Sequence, residues 1–177
     1  MSTSDYKTDA LKAKDKLAEV SPTMCLAKWN QTSLHLPTGL TNSCYHPPLH
    51  EMDAEEVKLN PAALHNTAEK LNQRQQMLDG EQPKGCSYCW NMEKTGEMSD
   101  RHYRSGEPWA MQDFDTIRQN PIDERHTPRY VEVNFNNACN LKCSYCSPQF
   151  STTWGKEVDR YGAYPTSPPH NAPEHFQ

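Results

Sequence analysis

The stretch YVEVNFNNACNLKCSYC, residues 130–146, decides how the rest of this sequence is interpreted. Its first six residues alternate between side chains suited to the two faces of a strand, which predicts a β-strand over residues 130–135. The strand runs directly into Cys139, Cys143 and Cys146, spaced C-x3-C-x2-C. Thiolates are the usual ligands of iron–sulfur clusters, and a loop can turn three of them toward one cluster. Three ligands for four irons leave one iron open for a substrate or cofactor.

The composition indicates that the chain needs a stabilising element besides its apolar core. Leu, Ile, Val and Phe together number 23 of the 177 residues, below the roughly 20% at which a packed core becomes doubtful. Seven cysteines are present, and an odd number is not what a disulfide framework uses. The N-terminus lacks the apolar run of a secretory signal. We therefore expect a cytoplasmic protein whose cysteines bind metal.

The three-cysteine loop resembles the signature of the radical S-adenosylmethionine (radical SAM) enzymes. The resemblance lies in the preceding strand, the C-x3-C-x2-C spacing, the CNLKCSYC filling and Tyr145 just before the third cysteine. It implies that Cys139, Cys143 and Cys146 ligate a 4Fe–4S cluster and that S-adenosylmethionine chelates the fourth iron. It also implies that Tyr145 lies near the adenine. Three zinc ligands completed by a histidine are the alternative, although the nearest histidines are His126 and His170.

The other four cysteines form a complete ligand set in number. They could hold a tetrahedral zinc ion or a second 4Fe–4S cluster. A thioredoxin-like pair at Cys86 and Cys89 is a further possibility, but a helix and the loop GEQPKG precede this pair instead of a strand. The remaining members of the set are Cys25 and Cys44.

The order of these cysteines resembles the twitch module, a shortened relative of the SPASM domain that is attached to radical SAM enzymes. The order is a cysteine, a short hairpin, a cysteine, an amphipathic helix and a CxxC pair, over about residues 24–105. The resemblance implies an auxiliary 4Fe–4S cluster held by all four cysteines. Two positions depart from the pattern: Lys28 stands where proline is frequent, and Tyr45 follows Cys44 where some relatives have a second cysteine.

Local patterns predict the elements of this module. Alternation over residues 32–36, the turn residues 37–39 and a return over residues 40–44 predict a hairpin. Asn60 and Pro61 predict a helix start, and Gly80 predicts its end. The expected buried face of this helix carries Leu64, Ala68, Leu71, Gln75 and Leu78. The CxxC pair is then expected in a tight loop.

The rest of the chain is divided as follows. We interpret residues 1–22 as a loosely attached polar helix or a tail, and residues 23–110 as the auxiliary module. Residues 91–128 are polar, and within them residues 111–128 are expected to be a connector with one short helix near residues 113–119. Residues 129–177 are the expected start of the radical SAM core, with a helix over residues 151–161 and a proline-rich tail that continues neither helix nor central strand.

These patterns together predict an α+β fold: a small cysteine-rich module of hairpin plus helix, followed by the first β/α unit of a truncated (β/α) partial barrel. The resemblance implies an enzyme that reductively cleaves S-adenosylmethionine to a 5′-deoxyadenosyl radical for hydrogen abstraction. A full barrel needs roughly 250 residues, so we expect the chain to be an N-terminal fragment that is inactive alone.

The expected partners are an unidentified peptide or small-molecule substrate and a reductant such as flavodoxin or ferredoxin. Neither nucleic acid nor a membrane is expected, because the chain has a net charge of −5 and no long apolar stretch. Two other functions remain open. One is a non-enzymatic zinc-binding interaction module, and the other is an iron–sulfur electron-transfer protein.

Overall fold

The structure of this chain is a computed structural model, and it describes residues 3–163. Two compact units are present. The first consists of the residues up to 34 together with residues 39–133, and the second consists of residues 35–38 and those from 134 onward. Within the described range, no helix combines the length and the apolar character needed to cross a membrane. The proline-rich tail from residue 164 onward lies outside the described residues.

Nine α-helices and four strands lie within residues 3–163. The helices are α1 (Thr3–Ala18), α2 (Leu26–Asn30), α3 (Ala54–Leu59), α4 (Ala68–Leu78), α5 (Ser87–Lys94), α6 (Asp100–Gly106), α7 (Pro108–Met111), α8 (Phe114–Gln119) and α9 (Thr152–Tyr161). The strands are β1 (Gln31–His35), β2 (Leu40–Asn42), β3 (His50–Glu51) and β4 (Tyr130–Asn134). Short 3-10 helices cover Pro61–Leu64, Lys84–Cys86 and Pro148–Phe150.

The strands form one mixed sheet in the order β3-β2-β1-β4. Strands β1 and β2 form the hairpin that the sequence predicts, and Gly39 adopts a φ of +67° in its turn, a conformation that glycine reaches without steric cost. Strands β2 and β3 are antiparallel, with Leu40 opposite Glu51. The strand predicted over residues 130–135 is confirmed as β4, which ends at Asn134.

The N-terminal helix is an integral part of the first unit. Ala10, Ala13 and Leu17 of α1 are fully buried, and Gly106 at the end of α6 lies so close that an added Cβ would be 2.9 Å from the Asp9 carbonyl oxygen. The expected N-terminal helix is therefore present as α1, whereas the expectation that it is loosely attached is wrong. Small side chains on one face of α1 allow close packing against α6. The three large apolar residues of this segment, Leu11, Leu17 and Val20, do not by themselves indicate such packing.

The structure divides the helix predicted over residues 60–78 into two pieces. Asn60 caps the 3-10 helix as expected, accepting a hydrogen bond from the Ala62 N–H at 3.2 Å. Thr67 then caps α4 separately by accepting from the Lys70 N–H at 3.2 Å. The predicted apolar face is wrong, because the buried positions of α4 are Lys70, Gln73, Arg74 and Met77. These polar side chains can be buried because their hydrogen bonds are satisfied inside the unit.

Several short helices lie within the polar residues 91–128, whose last part, residues 111–128, is the expected connector. The short helix predicted near residues 113–119 is confirmed as α8, whose Phe114 and Ile117 are buried. Helices α6 and α7 precede it, and Arg101 of α6 is also buried. Phe114 and Ile117 belong to the apolar core together with Met24 and with residues of α1, α2, α4 and α5, among them Leu17, Leu26, Trp29, Met77 and Trp90.

The second unit contains the three-cysteine loop and the helix after it. The predicted helix over residues 151–161 is confirmed as α9, and Ser151 is its N-cap. Glycine ends the helix, since Gly162 has a φ of +83°. The α+β expectation agrees with the mixed helix and sheet content, whereas the partial barrel and the cluster module remain predictions.

Candidate metal centres

Four cysteines of the first unit line one pocket, and they are the four that the sequence groups together. Cys25 lies directly before α2, and Cys44 follows β2. Cys86 ends a 3-10 helix, and Cys89 lies in the first turn of α5. All four thiols are free, and all four line the same pocket. The expected tight loop at the CxxC pair is wrong, because Cys86 ends a 3-10 helix and Cys89 lies in the helix that follows it. On a helical backbone, residues three apart share one face.

Hydrogen bonds between distant segments hold the Cys25 segment in place. Thr23 Oγ1 donates to the Met77 carbonyl oxygen at 2.7 Å, which ties the chain before Cys25 to the end of α4. The Leu26 N–H donates to Ser105 Oγ at 3.0 Å, which ties the start of α2 to α6. The backbone on both sides of Cys25 is therefore anchored to a different helix.

Burial raises the pKa of the thiols in this pocket. The pKa of Cys44 rises to about 11 and that of Cys89 to about 12, with burial as the largest cause and neighbouring cysteines as a further one. The pKa of Cys25 is raised for the same reasons, with Cys86 as the neighbour. A bound metal must displace the protons of these thiols.

The arrangement of these thiols can be compared with what each kind of metal centre requires. The space between the lining residues amounts to about 470 Å³, including the part open to solvent. Within residues 3–163, no group of three or more His, Cys, Asp or Glu side chains is arranged to hold a metal ion. A single zinc ion requires four sulfurs at about 2.3 Å, while a cluster with several irons spreads its ligands more widely. The donor set fits an iron–sulfur cluster chemically.

Charged side chains line the same pocket, and the sequence did not indicate them as part of a site. Lys28, Arg101 and Arg104 supply three cations. His46 Nε2 lies 2.8 Å from Asp100 Oδ2, and both residues also line the pocket. The signals in the sequence are Lys28, which departs from the proline frequent at this position in the twitch pattern, and the basic cluster of residues 101–104.

The three-cysteine loop of the second unit is held by the first turn of α9. The hydroxyls of Thr152 and Thr153 each donate to the Cys139 carbonyl oxygen at 3.0 Å. Ser151 Oγ donates to the Leu141 carbonyl oxygen at 2.7 Å. These bonds engage the backbone of the loop and leave the cysteine thiols available as ligands.

The cysteines of this loop are accessible. Cys139, Cys143 and Cys146 are half-buried and free, and the sequence contains no cysteine beyond Cys146. Tyr145 is 92% exposed, and a hydrogen bond with Cys143 raises the pKa of its hydroxyl. The loop therefore presents three thiols and one aromatic ring to a second molecule. Three thiols are one ligand fewer than a cubane iron–sulfur cluster binds.

Comparison with known proteins adds no family to these observations. No family model matches the chain, and neither the curated proteins nor the solved structures give a match. The residues and geometry described above are therefore the basis for assigning a function.

Proposed function

We propose that this chain carries the cluster-binding part of a radical SAM enzyme. In this proposal Cys139, Cys143 and Cys146 hold the 4Fe–4S cluster that engages S-adenosylmethionine. The observation that carries the proposal is a C-x3-C-x2-C loop, with three free and half-buried thiols, between a strand and a helix.

The geometry of the loop supports a site that is completed by a small molecule. Three thiols supply one ligand fewer than a cubane cluster needs. Tyr145 is almost fully exposed beside Cys143, so its ring is free to stack on the adenine of S-adenosylmethionine. A closed zinc site would instead need a fourth protein ligand.

The residues of the chain have separate roles in this proposal. When bound and reduced, the cluster would supply the electron that cleaves the sulfonium of S-adenosylmethionine to give the 5′-deoxyadenosyl radical. The three cysteines bind it, and the hydroxyls of Ser151, Thr152 and Thr153 orient the loop. The electron would come from a flavodoxin or ferredoxin. The substrate class, a peptide or small molecule, follows only from the resemblance.

The proposal includes an auxiliary 4Fe–4S cluster in the first unit. Cys25, Cys44, Cys86 and Cys89 supply a complete ligand set around one pocket. Four thiolates can bind either a zinc ion or an iron–sulfur cluster, and the iron content after reconstitution distinguishes the two. This site has no need of an external ligand, and an electron-transfer role is consistent with it.

Anaerobic reconstitution with iron and sulfide tests both sites in one experiment. The full chain should take up about eight irons, since each cubane cluster contains four. The variant with Cys139, Cys143 and Cys146 all changed to Ala should lose about half, and Cys86→Ala with Cys89→Ala should lose the other half. Each variant serves as the control for the other, because the two cysteine sets lie in different units.

Addition of S-adenosylmethionine separates the radical SAM proposal from simple electron transfer. The electron paramagnetic resonance spectrum of the dithionite-reduced chain should change on addition only when the loop cysteines are intact. Two clusters with an unchanged spectrum would favour an iron–sulfur electron-transfer protein. Zinc at both sites, without the absorption of iron–sulfur charge transfer, would favour a zinc-binding interaction module and contradict the proposal.

A further inference from the structure

A buried lysine lies beside the four cysteines of the first unit. Lys28 belongs to α2, is 2% exposed and lines the same pocket as the thiols. Its Nζ donates to Gln73 Oε1 at 2.5 Å. An ammonium group taken out of water costs several kcal/mol unless an opposite charge compensates it. A buried lysine therefore keeps its charge where an anion lies nearby.

Two other cations line the pocket, and each already has a carboxylate partner. Arg101 donates to both carboxylate oxygens of Glu93, at 2.9 and 2.7 Å. Arg104 donates to Glu107 at 2.8 Å. Among the residues that the structure describes, none of the ion pairs involves Lys28. Lys28 is thus the lysine or arginine of this pocket that has no carboxylate oxygen within 4.0 Å among the described residues.

The partner of Lys28 within the chain is a neutral amide. Gln73 Nε2 donates to Glu69 Oε1 at 2.5 Å, which turns the amide oxygen of Gln73 toward Lys28. A dipole of this kind orients the ammonium, but it compensates only part of the charge. The hydrogen bond also fixes Lys28 at the wall of the pocket, where its field reaches the thiols. The ammonium lowers the pKa of Cys44 and of Cys25 against the larger rise that burial causes.

We propose that Lys28 is the counter-ion of an anionic metal centre held by Cys25, Cys44, Cys86 and Cys89. This inference rests on the proposed auxiliary site. Four thiolates around a Zn²⁺ ion or an oxidised 4Fe–4S core leave a net charge of about −2. The ammonium stabilises this charge in the low-dielectric interior, where such interactions are stronger than in water. Lys28 is accordingly a positioning and electrostatic residue, and it is not a ligand.

The counter-ion has a consequence for the redox behaviour of a cluster. One-electron reduction by a low-potential donor such as dithionite adds one electron to the core, without making or breaking a bond. The charge of the centre becomes about −3. Because the ammonium stabilises the more negative state more strongly, Lys28 favours the reduced cluster.

The test uses the chain in which Cys139, Cys143 and Cys146 are changed to Ala, so that only the four-cysteine site takes up iron. In this background, Lys28→Met should lower the equilibrium constant for cluster reduction at least tenfold, a shift of about 59 mV for a one-electron couple. Lys28→Arg should restore most of the difference. Lys28→Gln keeps a polar group next to Gln73 without the charge, and it should behave like Lys28→Met.

Lys70 offers a matched control. It is fully buried on α4, and its Nζ donates to Thr32 Oγ1 and Thr41 Oγ1, each at 2.8 Å. It does not line the cysteine pocket. Burial, with the nearby Arg74 and Lys28 charges, lowers the pKa of Lys70 to about 6. Lys70→Met therefore removes a buried lysine that is largely uncharged at neutral pH, while leaving Lys28 beside the thiols unchanged. The equilibrium constant for cluster reduction in this variant should differ less than threefold from that of the parent.

Cobalt binding gives a second measurement that does not depend on iron. Titration of the metal-free chain with Co²⁺, followed by thiolate-to-cobalt absorption, should show at least tenfold weaker binding for Lys28→Met and Lys28→Gln than for Lys70→Met. If the chain bound cobalt but assembled no cluster, the proposed auxiliary cluster would be contradicted. The cobalt affinities would still test the counter-ion role of Lys28. Equal potentials and equal cobalt affinities for Lys28→Met and the parent would overturn the inference. The inference would also be overturned if Lys70→Met lowered the potential and the cobalt affinity as much as Lys28→Met does, or if the parent bound neither iron nor cobalt.

Discussion

The indole Nε1 of Trp154 donates a hydrogen bond of 3.1 Å to the carbonyl oxygen of Cys143. This bond connects α9 to the middle of the three-cysteine loop, eleven residues earlier in the chain. Together with the hydroxyls at the start of α9, it makes the loop conformation depend on the helix that follows. The thiols can then be held ready for a cluster by groups that are not themselves ligands.

Ser151→Ala should loosen the three-cysteine loop. The Ser151 hydroxyl donates to the Leu141 carbonyl at 2.7 Å and accepts from the Trp154 N–H at 3.3 Å. Its loss removes both the N-cap of α9 and a support of the loop, a cost of about 1 kcal/mol. We expect faster hydrogen exchange over residues 137–146 and less iron at the loop site after reconstitution.

Thr95→Ala is the control for this change, because Thr95 also donates from its hydroxyl to a backbone carbonyl, that of Met92, but belongs to the first unit. Its effect on exchange over residues 137–146 should be undetectable. Equal exchange in Ser151→Ala and the parent would show that the cap does not support the loop.

Gly106→Ala should destabilise the first unit. The added Cβ would lie 2.9 Å from the Asp9 carbonyl oxygen and 3.1 Å from the Ala10 nitrogen, so α1 and α6 would have to separate. Overpacking of this kind typically costs about 1–3 kcal/mol. Urea unfolding followed by circular dichroism measures the change in the free energy of unfolding.

Gly155→Ala is the matched substitution within a helix. A Cβ at Gly155 meets nothing within 4 Å, so alanine should stabilise α9 by about 0.5–1 kcal/mol through its higher helix propensity. If both glycine variants had the same stability, close packing of α1 on α6 would be excluded.

Glu93→Gln should weaken the contact between α5 and α6. Burial opposes ionisation of Glu93, yet hydrogen bonds from Arg101 and Ser99 hold its pKa below the usual value. The neutral amide would leave the buried Arg101 guanidinium without a counter-charge, at a cost of about 2–4 kcal/mol. Urea unfolding at neutral pH provides the measurement.

Glu55→Gln is the control for Glu93→Gln. Glu55 forms an ion pair with Lys58 at 2.5 Å, but both side chains are largely exposed. Exposed pairs contribute less than about 1 kcal/mol, so this variant should unfold almost like the parent. A loss as large as that of Glu93→Gln would mean that burial does not determine the strength of these pairs.

The metal-free chain should lose stability as the pH falls below about 6.5. Burial, followed by the nearby Arg101 charge, lowers the pKa of His102 to about 4 from its ordinary 6.5. Between these values the unfolded chain binds a proton at His102 that the folded chain does not, so the free energy of unfolding decreases with falling pH. One such group contributes a slope of up to about 1.4 kcal/mol per pH unit.

His102→Asn should reduce this slope. The asparagine oxygen can replace His102 Nδ1 as acceptor of the Ser99 N–H, at present a 3.2 Å bond, and asparagine does not titrate. Urea unfolding at several pH values between 4 and 7 compares the two proteins. An unchanged slope would assign the acid sensitivity to other buried histidines, such as His65, whose pKa is lowered to about 2 mainly by burial.

Several elements could be predicted because their signals are local. The alternation before the three-cysteine loop predicted β4, and the helix predicted over residues 151–161 is present as α9. The hairpin of β1 and β2 followed from alternation around a glycine turn. Each of these depends on residues within a few positions of one another, where backbone propensity and capping act directly.

Other features could not be predicted because they depend on distant residues. The buried face of α4 is largely polar, since Lys70 and Arg74 find hydrogen-bond partners on other segments. The tight packing of α1 depends on Gly106, about a hundred positions later. A periodicity rule that treats polar residues as exposed necessarily assigns the wrong face in such a helix.

The sequence by itself determined the spacing of the seven cysteines and the local elements next to them, because thiol chemistry and short-range backbone preferences require no distant partner. Only the tertiary structure decided that Cys25, Cys44, Cys86 and Cys89 line one pocket and that Lys28 is buried beside them. Burial and electrostatic surroundings arise when separate segments pack together. They cannot be read from one segment at a time.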